Sequence, residues 1–280
     1  MTAMTTEGGR LTALPAPSGR AGLVGTLRSE FTKIRSVRST YWTLLVLLVI
    51  SVGIGAAITG GVAAHWSQMN AGDRATFDAT ATSLGGLAFL GELVTVVLGA
   101  LAITSEYSTG MVRTSLTAMP RRGILYSAKA AVIAAVILVT AVIAAFAAFW
   151  LGQALLASTH DSASLSQPNV LRAVFGAALY VTLCGLLAYG VGSMIRHTAG
   201  AITAMVAVLF VLPILSNLLP NQWHADIVRW LPSSAGDSIT STMSGAHPHM
   251  FSPWGQFAVL AAYAAAALIA GAVLFRKRDA

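Results

Sequence analysis

The sequence predicts an all-α, polytopic membrane protein with six transmembrane helices, an N-terminal interfacial amphipathic helix and a short helix in the loop after the second span. Three observations carry this prediction. Of 280 residues, 56% are hydrophobic and only 10% are charged, and the mean hydropathy is +0.73, too apolar for an ordinary soluble domain. The apolar residues gather into six runs, each long enough to cross a bilayer. The charges are confined to the short stretches between and beyond those runs. One membrane domain, 22–280, therefore follows a tail at 1–21.

The tail is rich in Thr, Gly, Pro and Ala and has no periodic apolar face, which predicts disorder. It does not read as a secretory signal, because the first apolar run begins only near Tyr41 and is long enough to stay in the membrane. Over 22–40 the pattern changes. Leu23, Leu27, Phe31 and Ile34 recur at helical spacing, while Arg28, Lys33, Arg35 and Arg38 lie largely off that stripe. Such a helix lies in the membrane interface with its cations toward lipid phosphates, or serves only as a basic topogenic segment.

The spans are expected at about 41–63, 83–104, 128–157, 170–195, 199–219 and 255–275. Tyr41 and Trp42 open the first as interfacial aromatics, and Gly53, Ala57 and Gly61 give it a small-residue face for close helix contact. The third is longer than a bilayer needs, so its start projects beyond the membrane. Pro213 should kink the fifth. Between the fifth and sixth spans, Trp223, Trp230 and Trp254 stand among short apolar pieces, which suggests helices at the interface.

Six spans place both termini on one side, and the cations decide which. Of 17 Lys and Arg residues, only Arg74, Arg172 and Arg229 fall on the opposite side. The bias predicts a multi-pass protein of the cell membrane with cytoplasmic termini. The formal charge of +7 does not mark a nucleic-acid partner, because it is distributed as a topology signal facing the lipid bilayer.

The most informative loop is 105–129, SEYSTGMVRTSLTAMPRRGILYSAK. Ser108 or Thr109 is placed to cap a short helix over 110–118. Met119, preceding Pro120, ends it, and Pro120 suits the first turn of the next helix. Glu106, Arg113, Arg121, Arg122 and Lys129 make this a polar elbow, and the same cations would equally well serve topology alone.

The pattern Glu106-Tyr107-x-x-Gly110-x-x-Arg113, followed by Pro120-x-Arg122 and Lys129, resembles the loop of ATP-binding-cassette exporter permeases of the second type. That family often has Thr directly after the glycine, where this chain has Met111. The resemblance implies that the loop is a cytosolic coupling helix docking on a separate ATPase subunit through Glu106, Tyr107, Gly110, Arg113, Pro120 and Arg122. It also implies that the interfacial helix touches the ATPase, that a second permease copy or paralogue completes a dimer, and that the chain is a membrane-spanning exporter permease.

The chain itself lacks the chemistry for ATP hydrolysis. Its only lysines, Lys33, Lys129 and Lys277, follow Thr, Ala and Arg, so no Gly-Lys pair can build a phosphate-binding loop. Neither an HExxH zinc motif nor a G-x-S-x-G elbow is present, and no cofactor is expected. His247 and His249 lack a third metal ligand at useful spacing. Cys184 lies in an apolar run and reads as packing. Glu92 is the acidic residue placed well inside a span, where an ionised carboxylate costs about 2.5–3.5 kcal/mol on insertion scales. It either ties two helices together or marks a polar point on a substrate path or dimer axis. A membrane-embedded enzyme and a non-transport anchor or sensor are the competing classes. An ATPase that co-purifies would separate transport from both.

Overall fold

The computed structural model describes residues 23–111, 121–159, 161–243 and 250–277, and every regular element among them is helical. Helix α1 (Leu23–Ser36) ends at Val37, whose extended backbone turns the chain into α2 (Arg38–His65), the first span. A 3₁₀ turn and the short α3 (Ala71–Ala75) lead to the second span, built of α4 (Ala79–Gly86), a π turn (Leu87–Gly91) and α5 (Glu92–Ser108). The third span is α6 (Arg122–Leu156) and the fourth α7 (Val170–Ile195). The fifth comprises α8 (Thr198–Val206), a second π turn (Ala207–Val211) and α9 (Leu212–Ser216). Then come α10 (Asn221–Val228), α11 (Ser234–Thr240) and the sixth span, α12 (Pro253–Lys277). Six helices are thus long and apolar enough to cross a membrane.

The fourth span is the hub. Two thirds of its most apolar window is buried within the chain, against 17% for the fifth span. Its small residues explain this. Gly185 meets Gly99 of α5 backbone to backbone, and Gly190 lies against Ala267 of α12, so neighbours approach closely on several sides. The core around it holds Tyr180, Cys184, Val181, Phe149 and Leu84.

Several boundaries and faces differ from expectation. The first span packs through Leu47, Ser51, Gly55 and Thr59, not through Gly53, Ala57 and Gly61. Nothing approaches the Cβ positions of Gly53 and Gly61, whereas Gly55 and Gly86 sit against the facing backbone. Both stripes have small residues at helical spacing, but the chosen one takes the Ser51 and Thr59 hydroxyls out of lipid. In the fifth span, the π turn ends two residues before Pro213, the residue expected to break the regular helix. Helix α11 lies within the 220–253 segment without having been marked in the sequence, and six of its seven residues are buried, packed on the fourth and sixth spans. Gly236 there lies flat on the Tyr180 ring, which a side chain would prevent.

At the end of the bundle near α3 and α11, Asp78 clasps two segments, and Arg172 ties a third to one of them. One carboxylate oxygen caps α4 by accepting from the N–H groups of Thr80 and Ala81 at 3.0 and 2.9 Å. The other accepts from Thr242 N–H at 2.5 Å, while Arg172 donates to the Ser241 carbonyl. Asp78→Ala is expected to cost roughly 2–4 kcal/mol, the cap plus a charged hydrogen bond, while Asp78→Asn keeps part of it. Thermal unfolding in detergent measures both, and equal midpoints for the two variants would exclude the clasp.

Candidate functional site

At the other end, four charged side chains from three elements form one lattice. Lys129 of α6 sends its ammonium to Glu30 Oε2 of α1 at 2.5 Å and to Glu106 Oε1 of α5 at 2.7 Å. Lys33 of α1 lies 2.7 Å from Glu30 Oε1 and 3.5 Å from Glu106 Oε1. Two cations and two anions balance. Glu30, Glu106 and Lys129 are buried, and Lys33 reaches the edge. Burial alone would push the Glu30 carboxyl up, but Lys129 and then Lys33 outweigh it and hold it below the ordinary carboxylate range. Burial likewise opposes the charge on Lys33, yet Glu30 and Glu106 raise it above the usual lysine value.

The local sequence explains how these groups meet. The second span does not stop at Thr104 but continues to Ser108, which places Glu106 and Tyr107 on a helix and not in a loop. The helix that Ser108 or Thr109 was expected to cap lies mostly outside the described residues. The Ser108 and Thr109 hydroxyls donate back to the Ser105 carbonyl at 3.0 and 2.8 Å, and Gly110, at φ +69°, ends the helix. Helix α6 starts at Arg122, ahead of the span expected from 128, so Lys129 stands two turns inside it. On α1, Thr26 and Glu30 face the bundle, whereas Leu23 and Phe31 of the apolar stripe are exposed.

A second layer lies beside the lattice. Tyr107 carries the Arg196 guanidinium over its ring at 4.9 Å and meets Phe275 edge-on. Phe275 touches Tyr126, which packs on Tyr189, and the Tyr189 hydroxyl donates to the Tyr126 carbonyl at 3.0 Å. Arg196 itself adopts φ +60° and closes the fourth span by donating its N–H to Gly192. Arg122 donates to the Arg276 carbonyl at 3.5 Å. The flanks of the 105–129 segment, α1, the 196–198 turn and the end of α12 therefore share one end of the bundle.

Of the residues singled out in the sequence, Glu106 is buried against its own chain's lysines, Tyr107 is half-buried, Gly110 is exposed and Arg122 is half-buried. Arg113, Pro120 and most of the helix expected over 110–118 lie outside the described residues, as do His247 and His249. Glu30 was missed. Its signal was that it is the one acid in a basic helix, with a lysine three residues on.

Glu92 sits directly after the first π turn, 3% exposed, facing α7. It is hydrogen-bonded to Tyr180, and the Cys184 thiol donates to its Oε1 at 3.7 Å. Both partners lie on one face of α7, four residues apart. We expect Glu92→Gln to stay within about 1 kcal/mol of the wild type, because an amide keeps an acceptor, and Glu92→Ala to cost about 1–3 kcal/mol. Detergent unfolding compares them. A neutral Glu92→Ala would remove the helix-tying role, and lost transport in a stable Glu92→Gln would give Glu92 a part in the substrate path.

Six helices long and apolar enough to cross a bilayer, with the charges gathered and paired at one end, define a multi-pass membrane protein. A model described as ABC-2 family transporter protein matches residues 27–280, and the chain belongs to that family. It is a membrane permease subunit, of a family that works with an ABC ATPase in a lipid bilayer. No curated protein matches the chain.

Proposed function

We propose that this chain is the membrane-spanning permease subunit of an ATP-driven exporter in the cell membrane, with both termini in the cytoplasm. A separate ATPase chain docks on the 105–128 loop, hydrolyses ATP and moves the loop, and a second permease copy or paralogue supplies the other half of the path. The observation that supports this reading is the four-charge lattice. The helices that enter and leave the loop are joined to each other through Glu106 and Lys129, and both to α1 through Glu30. A push on the loop therefore moves three elements as one block and reaches the second and third spans together. The exposed Leu23 and Phe31 suit α1 to lie in the lipid interface while its Glu30 face stays engaged. Export as the direction rests on the resemblance of the 105–129 segment to exporter permeases.

Within this reading Glu106 positions the loop from inside, and Tyr107 does so by stacking, whereas Gly110, Arg113, Pro120 and Arg122 belong to the docking surface. The test is co-purification with an ATPase from native membranes, repeated with Arg113→Lys. The planar guanidinium fork is lost with the charge kept, so insertion should persist and ATPase association should weaken by roughly tenfold or more. Arg74→Lys, on the opposite side, should be silent. If no ATPase co-purifies with the wild type, the coupling role fails; if Arg113→Lys binds normally, that residue's part in it fails.

A further inference from the structure

The loose packing of the fifth span leaves a cavity of about 720 Å³ between the fourth, fifth and sixth spans and the segment that follows the fifth. Small-molecule sites occupy about 300–1,000 Å³, and gaps between bundled helices are a common place for them. The walls are apolar: Leu187 and Val191 of the fourth span, Met205 and Val208 of the fifth, Ala266 and Ala270 of the sixth. Both alanines are exposed, and neither is long enough to fill the gap.

The polar part of the lining is gathered together. Asp226 of α10 and Trp230, four residues on, are joined by Tyr263 of the sixth span, whose hydroxyl donates to the Trp230 carbonyl at 3.1 Å. An edge contact with Phe251, at 5.2 Å between centroids, holds the Trp230 ring. Among the described lining residues only Asp226 carries a charge. Arg229 pairs with it at 2.9 Å but does not line the cavity. A carboxylate held by one cation can take a second, as Glu106 Oε1 does with Lys129 and Lys33, so this pair leaves Asp226 able to bridge to a ligand.

Depth sets the other half of the ligand. The sixth span has 25 residues, about 37 Å at the α-helical rise, against a hydrocarbon core of about 30 Å. Tyr263 stands about 15 Å from its start and Ala270 about 10 Å farther along, so this wall lies within the hydrocarbon layer whichever end takes the surplus. A molecule that fills the cavity therefore has an apolar body. The polar corner asks for a cation, because a carboxylate supplies its counter-charge and the faces of Trp and Tyr attract it, the more so away from water. From this geometry we infer that the cavity binds a lipophilic cation, an ammonium or similar group on an apolar body. Its charge lies at Asp226, Trp230 and Tyr263 and its body lies along Ala266 and Ala270.

Binding there needs no ATPase, so it is tested apart from coupling. The purified full-length chain in phosphatidylcholine nanodiscs is titrated with radiolabelled tetraphenylphosphonium, and uptake by empty nanodiscs is subtracted. The wild type should bind it saturably and roughly tenfold or more tighter than tetraphenylborate, an anion of the same shape. Asp226→Asn should weaken tetraphenylphosphonium about tenfold, and Trp230→Leu, which keeps an apolar side chain, about threefold. Asp73→Asn removes the same charge from α3 and should leave binding unchanged. Ala266→Phe keeps every charge but fills the gap, and it should weaken binding by roughly tenfold or more. Its exposed position spares the fold, so it tests the site even where Asp226→Asn is unstable. No saturable binding by the wild type would overturn the inference. So would unchanged affinity in Asp226→Asn or, where that does not fold, in Ala266→Phe. Equal loss in Asp73→Asn would reduce the effect to net charge and overturn the site. Tetraphenylborate bound as tightly as its cationic counterpart would make the cavity merely apolar and overturn its choice of a cation.

Discussion

Lys129→Met should be among the most damaging single substitutions in this chain, lowering stability by about 3–5 kcal/mol. The long apolar side chain fills much of the same volume, so the loss is electrostatic. Lys129 is the cation shared by Glu30 and Glu106, and without it two buried carboxylates depend on Lys33, which reaches Glu106 only at 3.5 Å. Lys33 is partly exposed and compensates incompletely, which places the effect toward the lower end of the range. Unfolding in detergent measures the loss, and a change under about 1 kcal/mol would remove the lattice as a stabilising element. Glu30→Gln combined with Lys129→Met should recover part of it, since one of the two buried carboxylates is then neutral and Lys33 is left to Glu106 alone. The pH dependence supplies an independent reading. In the wild type the folded Glu30 titrates below its unfolded value near 4.5, so its contribution is present above pH 4.5 and is lost as pH falls through the folded value. Remove Lys129, and burial becomes the stronger influence on Glu30. The variant should then gain stability on mild acidification, where the wild type holds steady.

Gly99→Val should have the other large effect. Gly99 and Gly185 meet in the most extensively packed helix pair, with the Gly99 Cβ position 3.1 Å from the Gly185 Cα and nearer still to its carbonyl. The obstacle is backbone, which cannot rotate away as a side chain can, so the second and fourth spans must separate. Overpacking of this kind costs about 1–3 kcal/mol in ordinary cores, and a backbone clash at the hub should reach or pass the upper end. Gly99→Ala should already be harmful, whereas Gly53→Ala, with nothing within 4 Å, should be neutral or gain about 0.5–1 kcal/mol from helix propensity. If the two alanine variants behave alike, the close contact does not carry the packing.

The spans were legible because lipid demands long apolar runs, and the fourth was read at 170–195 as it stands. Their ends were less so. Hydropathy treats Glu106 as the exit from the membrane, but the helix runs on: Ser105, Ser108 and Thr109 bond back to the Leu101 and Ser105 carbonyls, and Glu106 finds its counter-charge within the chain. That pairing joins residues 23 positions apart on α5 and α6, and its link to Glu30 spans 99, distances no local pattern records. Serine and threonine serve either at a helix start or as back-bonding groups at its end, and only tertiary structure decides between them. Helix α11 was hidden for a similar reason. SAGDSIT is polar by composition, but its small residues let it fit beneath Tyr180.

The π turns at Leu87–Gly91 and Ala207–Val211 touch each other through Phe89 and Phe210, whose ring centroids lie 5.4 Å apart. Each wide turn takes up an additional residue, and one residue of α-helix is a rotation of about 100°. The second and fifth spans are thus each composed of two half-rods whose compass bearings are set independently. In the second span the first half aims Gly85 and Gly86 at the first span, while the second half aims Glu92 and Gly99 at the fourth. A straight helix of the same sequence could satisfy one bearing only.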